Sequence, residues 1–292
     1  MQERESAKCI QPEEITPNAR TIVAPRLREA IEREGIVAGG KTFSEEEIDA
    51  MKEELFALQA SADEGHKNPY HNEGHGRDVD KRFETLLATF DLPNWQRAAY
   101  RLIPATHDLY HSGEMKRVAD DGLSNEEIAA VAGDGFAEEK GFSPYQRAIL
   151  YGGNIGSTFG NPEVHPETTI EKVFALADVG GFTKTWDDWI EESGNVLAEQ
   201  SAEKHITSPK EWLNSQQAFI EYCEGLLDDV RKETLGNNRM ITVLSNWGRH
   251  LEEKKRTVET LLGLAAKEDG SETKHQRWSA VKEYILPFLN KN

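Results

Sequence analysis

Hydrophobic residues recur every three or four positions along most of the chain. In the first such segment, the apolar residues that share one helical face are Ile48, Met51, Leu55 and Leu58. This spacing predicts a helix over roughly residues 45 to 62. Ser44, with Glu47 three residues later, is typical of a capping box, which satisfies free backbone N–H groups where a helix begins. The segment is therefore expected to begin and continue as an amphipathic helix.

The same helix-start signal recurs downstream, in SNEE at 124–127 and in SPKE at 208–211. Further segments with helical spacing are RFETLLATF, QRAAYRLI, TIEKVFALAD, ITVLSNWGRHLEEKKRTVETLLGLAA and RWSAVKEYILPFL. Alternating apolar and polar residues of strand length are rare. The pattern predicts an all-α fold with a single compact multi-helix domain at 42–292, preceded by an N-terminal arm or lead-in at 1–41.

Composition narrows the classes of partner. The chain has 292 residues, with 34 Lys and Arg against 52 Asp and Glu, so its formal charge is 34 − 52 = −18. This charge opposes general attraction to nucleic acid or to an anionic membrane. A phosphate ligand would then need local positive charge, which bound divalent cations can supply.

Cysteine content and hydropathy predict a cytoplasmic protein. Cys9 and Cys223 are too few and too far apart for a disulfide framework or a thiolate cluster. The N-terminus lacks the apolar segment of a signal peptide, and no run approaches the roughly 18 apolar residues of a membrane span. We therefore expect no membrane partner.

Five of the nine histidines lie between His66 and His111, several of them beside carboxylates. Four of the five belong to PYHNEGHGRDV at 69–79 and to ATHDLYHSG at 105–113. On a helix, two histidines four residues apart would share a face, although the Asn-Pro pair before the first segment indicates that a helix begins nearby. Neutral imidazole and carboxylate groups together suit Zn²⁺, Mn²⁺, Fe²⁺ or Mg²⁺.

A further carboxylate extends this candidate site. Asp178 lies near the end of the apolar helical run FALADVGGF. A buried carboxylate needs a partner, and the end of a helix disfavours negative charge. Asp178 is therefore a better candidate ligand than most acidic residues of the chain.

The order H…HD…D resembles the HD superfamily of metal-dependent phosphohydrolases. YHNEGHGRDV and HDLYHSG are similar to the YHNxxHxxDV and HDxxHxG motifs of class I cyclic-nucleotide phosphodiesterases. ADVGGFTK and SQQAFIEY resemble the ADLSNPTK and SQVGFIDY segments of that family, in the same order. The resemblance covers roughly residues 65 to 230 and implies an HD/PDEase-like fold.

The resemblance implies two divalent metal ions, with Zn, Mg, Mn and Fe as the candidates. The ligands it implies for the first ion are His75, His107, Asp108 and Asp178. Asp108 would also bridge to the second ion. A hydroxide between the two cations would attack the phosphorus atom.

The resemblance also assigns roles around the metal ions. His71 would be the general acid that protonates the departing ribose oxygen, a role that suits imidazole near neutral pH. His111 would lie near the bridging water, and Asn125 and Glu126 would orient the groups that bind metal.

Three residues are assigned to substrate binding by the same resemblance. Tyr70 lies in the first motif, Gln216 matches a glutamine that reads the purine, and Phe219 matches an aromatic residue that stacks on the base. The chain departs from the family at Gly181, where the family has asparagine, and at Tyr110, where it has an acidic residue.

The implied function is hydrolysis of a 3′,5′-cyclic purine nucleotide, cAMP or cGMP, to the 5′-monophosphate. One alternative is an HD phosphohydrolase acting on another nucleotide or phosphate ester. Others are an HD-fold di-iron oxygenase and a catalytically silent binding module. Preference between cAMP and cGMP and the oligomeric state are left open.

Overall fold

The computed structural model describes residues 40–66, 68–111, 124–157, 166, 168–200, 206, 208–265 and 277–289. Regular structure in these ranges is helical, without a β-strand, so the expected all-α class is confirmed. The lead-in predicted at 1–41 lies outside the described residues except for its last two. The described helices fall into two compact units, one ending at Ala175 and one beginning at Leu176. Assignment of 42–292 to one domain stays a prediction.

Six helices begin in the first unit: α1 (Glu45–His66), α2 (Glu73–Leu87), α3 (Asn94–Thr106), α4 (Asn125–Glu139), α5 (Pro144–Gly156) and α6 (Thr169–Asp178). The second unit contains the end of α6, a 3-10 turn (Gly180–Thr183), and α7 (Trp186–Gln200), α8 (Pro209–Glu233), α9 (Asn238–Ala265), α10 (Trp278–Tyr284) and α11 (Leu286–Leu289).

The predicted helix starts are confirmed by reciprocal hydrogen bonds. The backbone N–H of Ser44 donates to the Glu47 carboxylate at 2.8 Å, and the N–H of Glu47 donates to the Ser44 hydroxyl at 3.2 Å. Complete capping boxes also begin α4 at Ser124 and α8 at Ser208. Each satisfies backbone donors that have no partner within the helix.

Helix α3 is the centre of the first unit. It packs against α1, α2, α4 and α5, and its residues from Ala98 to Thr106 are all buried. A Cβ atom added to Gly153 of α5 would lie 2.3 Å from the Ile103 Cδ1 atom, so glycine permits the close approach of α5. This packing fixes the end of α3, where two of the predicted site residues lie.

A buried arginine also holds α3 in place. Arg101 is 8% exposed, and its guanidinium donates to the carboxylates of Glu45 and Asp49 on α1 and of Glu84 on α2. A buried cation is tolerated when carboxylates surround it. The ion pairs therefore join three helices around the buried face of α3.

In the second unit, α8 and α9 pack along each other, and α9 also contacts the 3-10 turn. Lys254 of α9 is only 2% exposed, and its Nζ atom donates to the Lys184 carbonyl oxygen at 2.7 Å. Burial lowers the pKa of Lys254, because it disfavours the charged amine. This bond ties α9 to the residue that follows the turn.

Among the described helices, none combines the length and apolar character needed to cross a membrane.

Candidate metal centre

His75 is positioned by the start of α2. Asn72 is the N-cap, and its side-chain oxygen accepts hydrogen bonds from the N–H groups of Gly74 at 2.9 Å and His75 at 3.2 Å. His71 precedes this cap, so His71 and His75 do not share a helical face. The turn before α2 nevertheless brings their ring centres to 5.9 Å.

His107 and Asp108 lie just beyond the end of α3. Pro104 lies in the last turn, and its carbonyl oxygen is among those that a helix end leaves without a backbone donor. The Nδ1 atom of His107 lies 2.9 Å from this oxygen. Since a carbonyl can only accept, Nδ1 carries the proton, and Nε2 presents its lone pair away from the helix.

The three side chains of His75, His107 and Asp108 form a buried cluster in the first unit. Each offers one ligand atom, and the three atoms all lie within 4.8 Å of one another. The Asp108 Oδ2 atom is 3.1 Å from the His107 Nε2 atom and 3.6 Å from the His75 Nε2 atom. The side chains are 2% to 9% exposed.

This cluster fits a divalent cation. Ligand atoms that share one cation at about 2.1 Å lie about 3.0 to 3.4 Å from each other, depending on the coordination angle. The two measured contacts of Asp108 Oδ2 are close to that range. Oδ2 is also buried and, within the described part of the chain, accepts no hydrogen bond of good geometry. A cation would stabilise the negative charge of this oxygen, because burial removes the water that would otherwise solvate it.

The electrostatics of Asp108 favour a bound positive charge. Burial raises the pKa of its carboxyl, but the positive charge that His107 and His71 carry when they are protonated outweighs burial. The charge of His75 acts in the same direction, and the pKa lies well below its usual range. Asp108 is therefore an ionised carboxylate whose negative charge is stabilised by positive groups around it.

His71 and His111 stack beside the cluster, with ring centres 3.8 Å apart and planes 18° apart. The ring of Tyr70 covers His75, with a centre distance of 4.3 Å, and meets His71 edge-on at 4.8 Å. Tyr110 has a φ of 63°, an uncommon left-handed conformation that turns the chain immediately before His111. The structure therefore brings four of the predicted aromatic site residues together.

Asn125, in the first turn of α4, contacts this pair. Its Nδ2 atom lies 3.0 Å from the His111 Nε2 atom. Because an amide N–H donates, Nε2 is the acceptor and His111 carries its proton on Nδ1. Glu126 follows on the same turn and is half-buried. A direct contact thus supports the orientation of His111 by Asn125, whereas the role of Glu126 stays a prediction.

The remaining predicted site residues belong to the second unit. Asp178 is the last residue of α6 and is half-buried. Burial raises the pKa of Tyr222 on α8 to about 12, and the charges of Cys223 and Asp178 add to the shift. Asp178 therefore lies within electrostatic reach of α8. Its role as a metal ligand stays a prediction.

Gln216 and Phe219 share helix α8, as predicted, and both are half-buried. The Ser193 hydroxyl oxygen lies 3.4 Å from the side-chain oxygen of Gln216. The roles of Gln216 and Phe219 in binding a purine stay predictions.

The departure at Gly181 has a local explanation. A Cβ atom at this position would lie 2.6 Å from a carboxylate oxygen of Glu192. The same carboxylate accepts a 2.7 Å hydrogen bond from the Lys184 Nζ atom. The pair of Glu192 and Lys184 occupies the space that a larger side chain would need.

Sequence reasoning missed Asn68. Its Asn-Pro pair was interpreted only as a helix boundary, yet the side chain is buried and its Nδ2 atom lies 2.7 Å from the His111 carbonyl oxygen. The signal in the sequence was a polar residue directly before a histidine motif, which alone does not distinguish a surface turn from a buried contact.

No protein-family model matches the chain, and a search of the curated proteins finds no significant match.

Proposed function

We propose that this protein is a metal-dependent phosphohydrolase whose metal ligands include His75, His107 and Asp108. The observation that carries the proposal is the buried cluster in which the three ligand atoms lie within 4.8 Å of one another. Two imidazoles and a carboxylate in this arrangement are costly to bury without a positive charge between them. The same donor set is a common one for divalent cations that serve in hydrolysis.

The tautomer of His107 supports this assignment. Its Nδ1–H group donates to the Pro104 carbonyl oxygen, so the lone pair of Nε2 is available in the cluster. The edge of the Phe174 ring lies against His107, with centres 5.5 Å apart, and limits the rotation of the imidazole. His107 is therefore prepared as a ligand by its own surroundings.

A bound divalent cation would supply two effects: it activates water at neutral pH and stabilises charge on phosphoryl oxygens. The protein side chains would supply proton transfer. His71 is half-buried and its ring lies beside both His75 and His111. We assign it the role of general acid toward the leaving oxygen, as the family resemblance implies.

Asp178 is proposed as a further ligand of the first ion, and Asp108 as the bridge to a second ion. These two roles rest on the resemblance of ADVGGFTK and HDLYHSG to the phosphodiesterase motifs. The negative charge of the whole chain makes cations at the site more necessary for an anionic substrate, since −18 formal charges repel a phosphate ester.

The proposed substrate is a 3′,5′-cyclic purine nucleotide. Gln216 presents an amide that can pair with a base edge, and Phe219, three residues away on the same helix, offers an aromatic face. Tyr70 adds an aromatic surface beside the histidines. Other phosphate esters are the alternative substrates within the same chemistry.

Product analysis tests the proposal. Metal-stripped protein would be reloaded separately with Mg²⁺, Mn²⁺, Zn²⁺ or Fe²⁺ and offered cAMP, cGMP and a panel of nucleotides and phosphate esters. We expect a 5′-monophosphate from a cyclic purine nucleotide in at least one metal-loaded form and none in the stripped form. Hydrolysis of other esters alone would support the proposed metal chemistry and contradict a cyclic purine nucleotide as the substrate. No hydrolysis with any metal would contradict the proposed function.

A further inference from the structure

The side-chain amide of Asn68 joins the two stacked histidines. Asn68 is 6% exposed, and its Nδ2 atom donates to the His111 carbonyl oxygen at 2.7 Å and to the His71 carbonyl oxygen at 3.3 Å. These two histidines are 40 residues apart in the sequence. One buried amide group thus fixes the main chain of both.

The orientation of this amide is determined by its partners. Both neighbouring atoms are carbonyl oxygens, which accept but cannot donate. Only the nitrogen of the Asn68 amide can bond to both, and each of its two hydrogens serves one carbonyl. The contact therefore requires an amide, because a carboxylate of the same size would bring an acceptor against two acceptors.

The main chain at these two histidines lies outside the helices. His71 precedes the cap of α2, and His111 follows the left-handed residue Tyr110. Helical hydrogen bonds therefore do not set the separation of the two segments. The stacked rings nevertheless lie only 3.8 Å apart, a separation that requires their backbones to be held together.

A second asparagine connects this contact to the candidate metal ligands. The Asn72 Nδ2 atom donates to the Asn68 carbonyl oxygen at 3.0 Å, while the Asn72 side-chain oxygen accepts from the His75 N–H group. Because Asn72 bonds to the main chain of Asn68, a substitution of the Asn68 side chain retains this link to the start of α2 and removes only the bonds to His71 and His111.

We propose that Asn68 is a positioning residue that holds His71 and His111 in their stacked arrangement and so places the His71 imidazole for proton transfer. The second half of this inference rests on the proposed function, whereas the first half concerns geometry alone. Asn68 acts through His71 and does not itself need to touch a substrate. A misplacement of about 1 Å at a reacting group can cost about a hundredfold in rate.

The test compares Asn68→Asp with Gln146→Glu. Gln146 is a matched control, because its Nε2 atom also donates to two main-chain carbonyl oxygens, those of Lys41 at 2.9 Å and Trp95 at 2.8 Å, and it is fully buried. Both substitutions place a carboxylate against two carbonyls, but only the first faces the histidines. Asn68→Ala, which removes the amide without adding charge, is the second variant if the first fails to fold.

Three readouts separate positioning from stability. In protein with ¹³C-labelled histidine, loaded with diamagnetic Zn²⁺, the ring signals of His71 and His111 report their stacking through mutual ring-current shifts, and His71→Gln and His111→Gln assign them. Steady-state kinetics on the substrate identified above gives kcat and KM, and dialysis gives metal affinity.

We expect Asn68→Asp to remove the ring-current shifts and to lower kcat about a hundredfold, with KM and metal affinity within a factor of about two. Gln146→Glu should leave the shifts and kcat unchanged, even if it lowers the melting temperature equally. Unchanged shifts in both folded Asn68 variants would overturn the inference, as would an unchanged kcat. If the shifts are lost but the wild-type protein hydrolyses nothing, the geometric inference stands and the proposed function fails.

Discussion

At the scale of single residues, the candidate site depends on which side-chain atoms could bind a cation. Two main-chain carbonyl groups take part in holding the histidines. The Pro104 carbonyl oxygen accepts a hydrogen bond from the His107 ring, and the His111 carbonyl oxygen accepts one from the Asn68 side chain. The first contact leaves the His107 Nε2 atom directed at Asp108. Side-chain identity was readable from the sequence, but these contacts were not, because the donors and acceptors come from the backbone of a folded chain.

Asp108→Asn tests the cluster. The amide lacks the negative charge and presents a donor to the two histidines, so we expect metal affinity to fall by more than the about 10- to 100-fold typical of losing an outer partner. Equilibrium dialysis measures the affinity, and far-UV circular dichroism checks the helices. Asp134→Asn is the matched control, since Asp134 is 4% exposed and pairs with Arg147. Equal loss of metal in both variants would contradict the assignment.

His71→Ala tests the proton donor. Its removal leaves His75, His107 and Asp108 in place, so we expect metal binding to be retained while kcat falls by about a hundredfold or more. The exposed His250 on α9 provides the control, and His250→Ala should retain the wild-type rate. A rate for His71→Ala equal to that of the control would remove His71 from the mechanism.

At the scale of helices, the ends matter more than the interiors. The sequence predicted where α1, α4 and α8 begin, because a capping box is a local signal of a few residues. For α2 the sequence indicated only that a helix begins near Asn68 and Pro69, and it did not identify Asn72 as the cap. A turn rather than a helix therefore brings His71 close to His75, and helical spacing does not explain their proximity.

The cap of α2 gives a local prediction. Asn72→Ala removes the acceptor for the N–H groups of Gly74 and His75, and we expect a loss of about 1 kcal/mol in stability with faster hydrogen exchange at both amides. Asn72→Asp keeps an acceptor at that position and should preserve much of the protection. Nuclear magnetic resonance exchange measurements distinguish the two variants. Unchanged protection of both amides in Asn72→Ala would show that the cap does not stabilise this turn.

Burial along α9 shows why the sequence predicts the burial of individual side chains less well than it predicts where helices begin. Within the charged run HLEEKKRTVE, periodicity does not distinguish Lys254, which is 2% exposed, from the exposed charges beside it. Its burial depends on the Lys184 carbonyl oxygen, 70 residues away in the sequence. Such a contact is specified by tertiary packing rather than by local pattern.

At the scale of the whole molecule, the all-α class followed from the repeated helical spacing and the scarcity of alternating segments. The division of the described residues into two compact units could not be predicted from the sequence, because no Pro- or Gly-rich linker precedes Leu176. Motifs in two segments predicted that His75, His107 and Asp108 belong to one site, and these three side chains do lie together, whereas metal binding by them stays a prediction. The identity of the metal and the substrate depends on coordination and pocket shape, which local sequence does not specify.

The net charge of −18 also belongs to this scale. An acidic protein that turns over an anionic ester needs its positive charge concentrated at the reacting phosphate. Without cations, the negative field of the chain would oppose binding of the proposed substrate, so metal dependence is the property to test first.

The most direct test is a titration of metal-stripped protein with the metal that supports turnover, in which bound metal and the rate of phosphate-ester hydrolysis are measured on the same samples. We expect no hydrolysis before metal is added and a rate that rises with the amount of metal bound, with no such rise in Asp108→Asn. Hydrolysis by protein verified to be metal-free, or an Asp108→Asn rate that follows the wild-type curve, would contradict metal-dependent hydrolysis at this site.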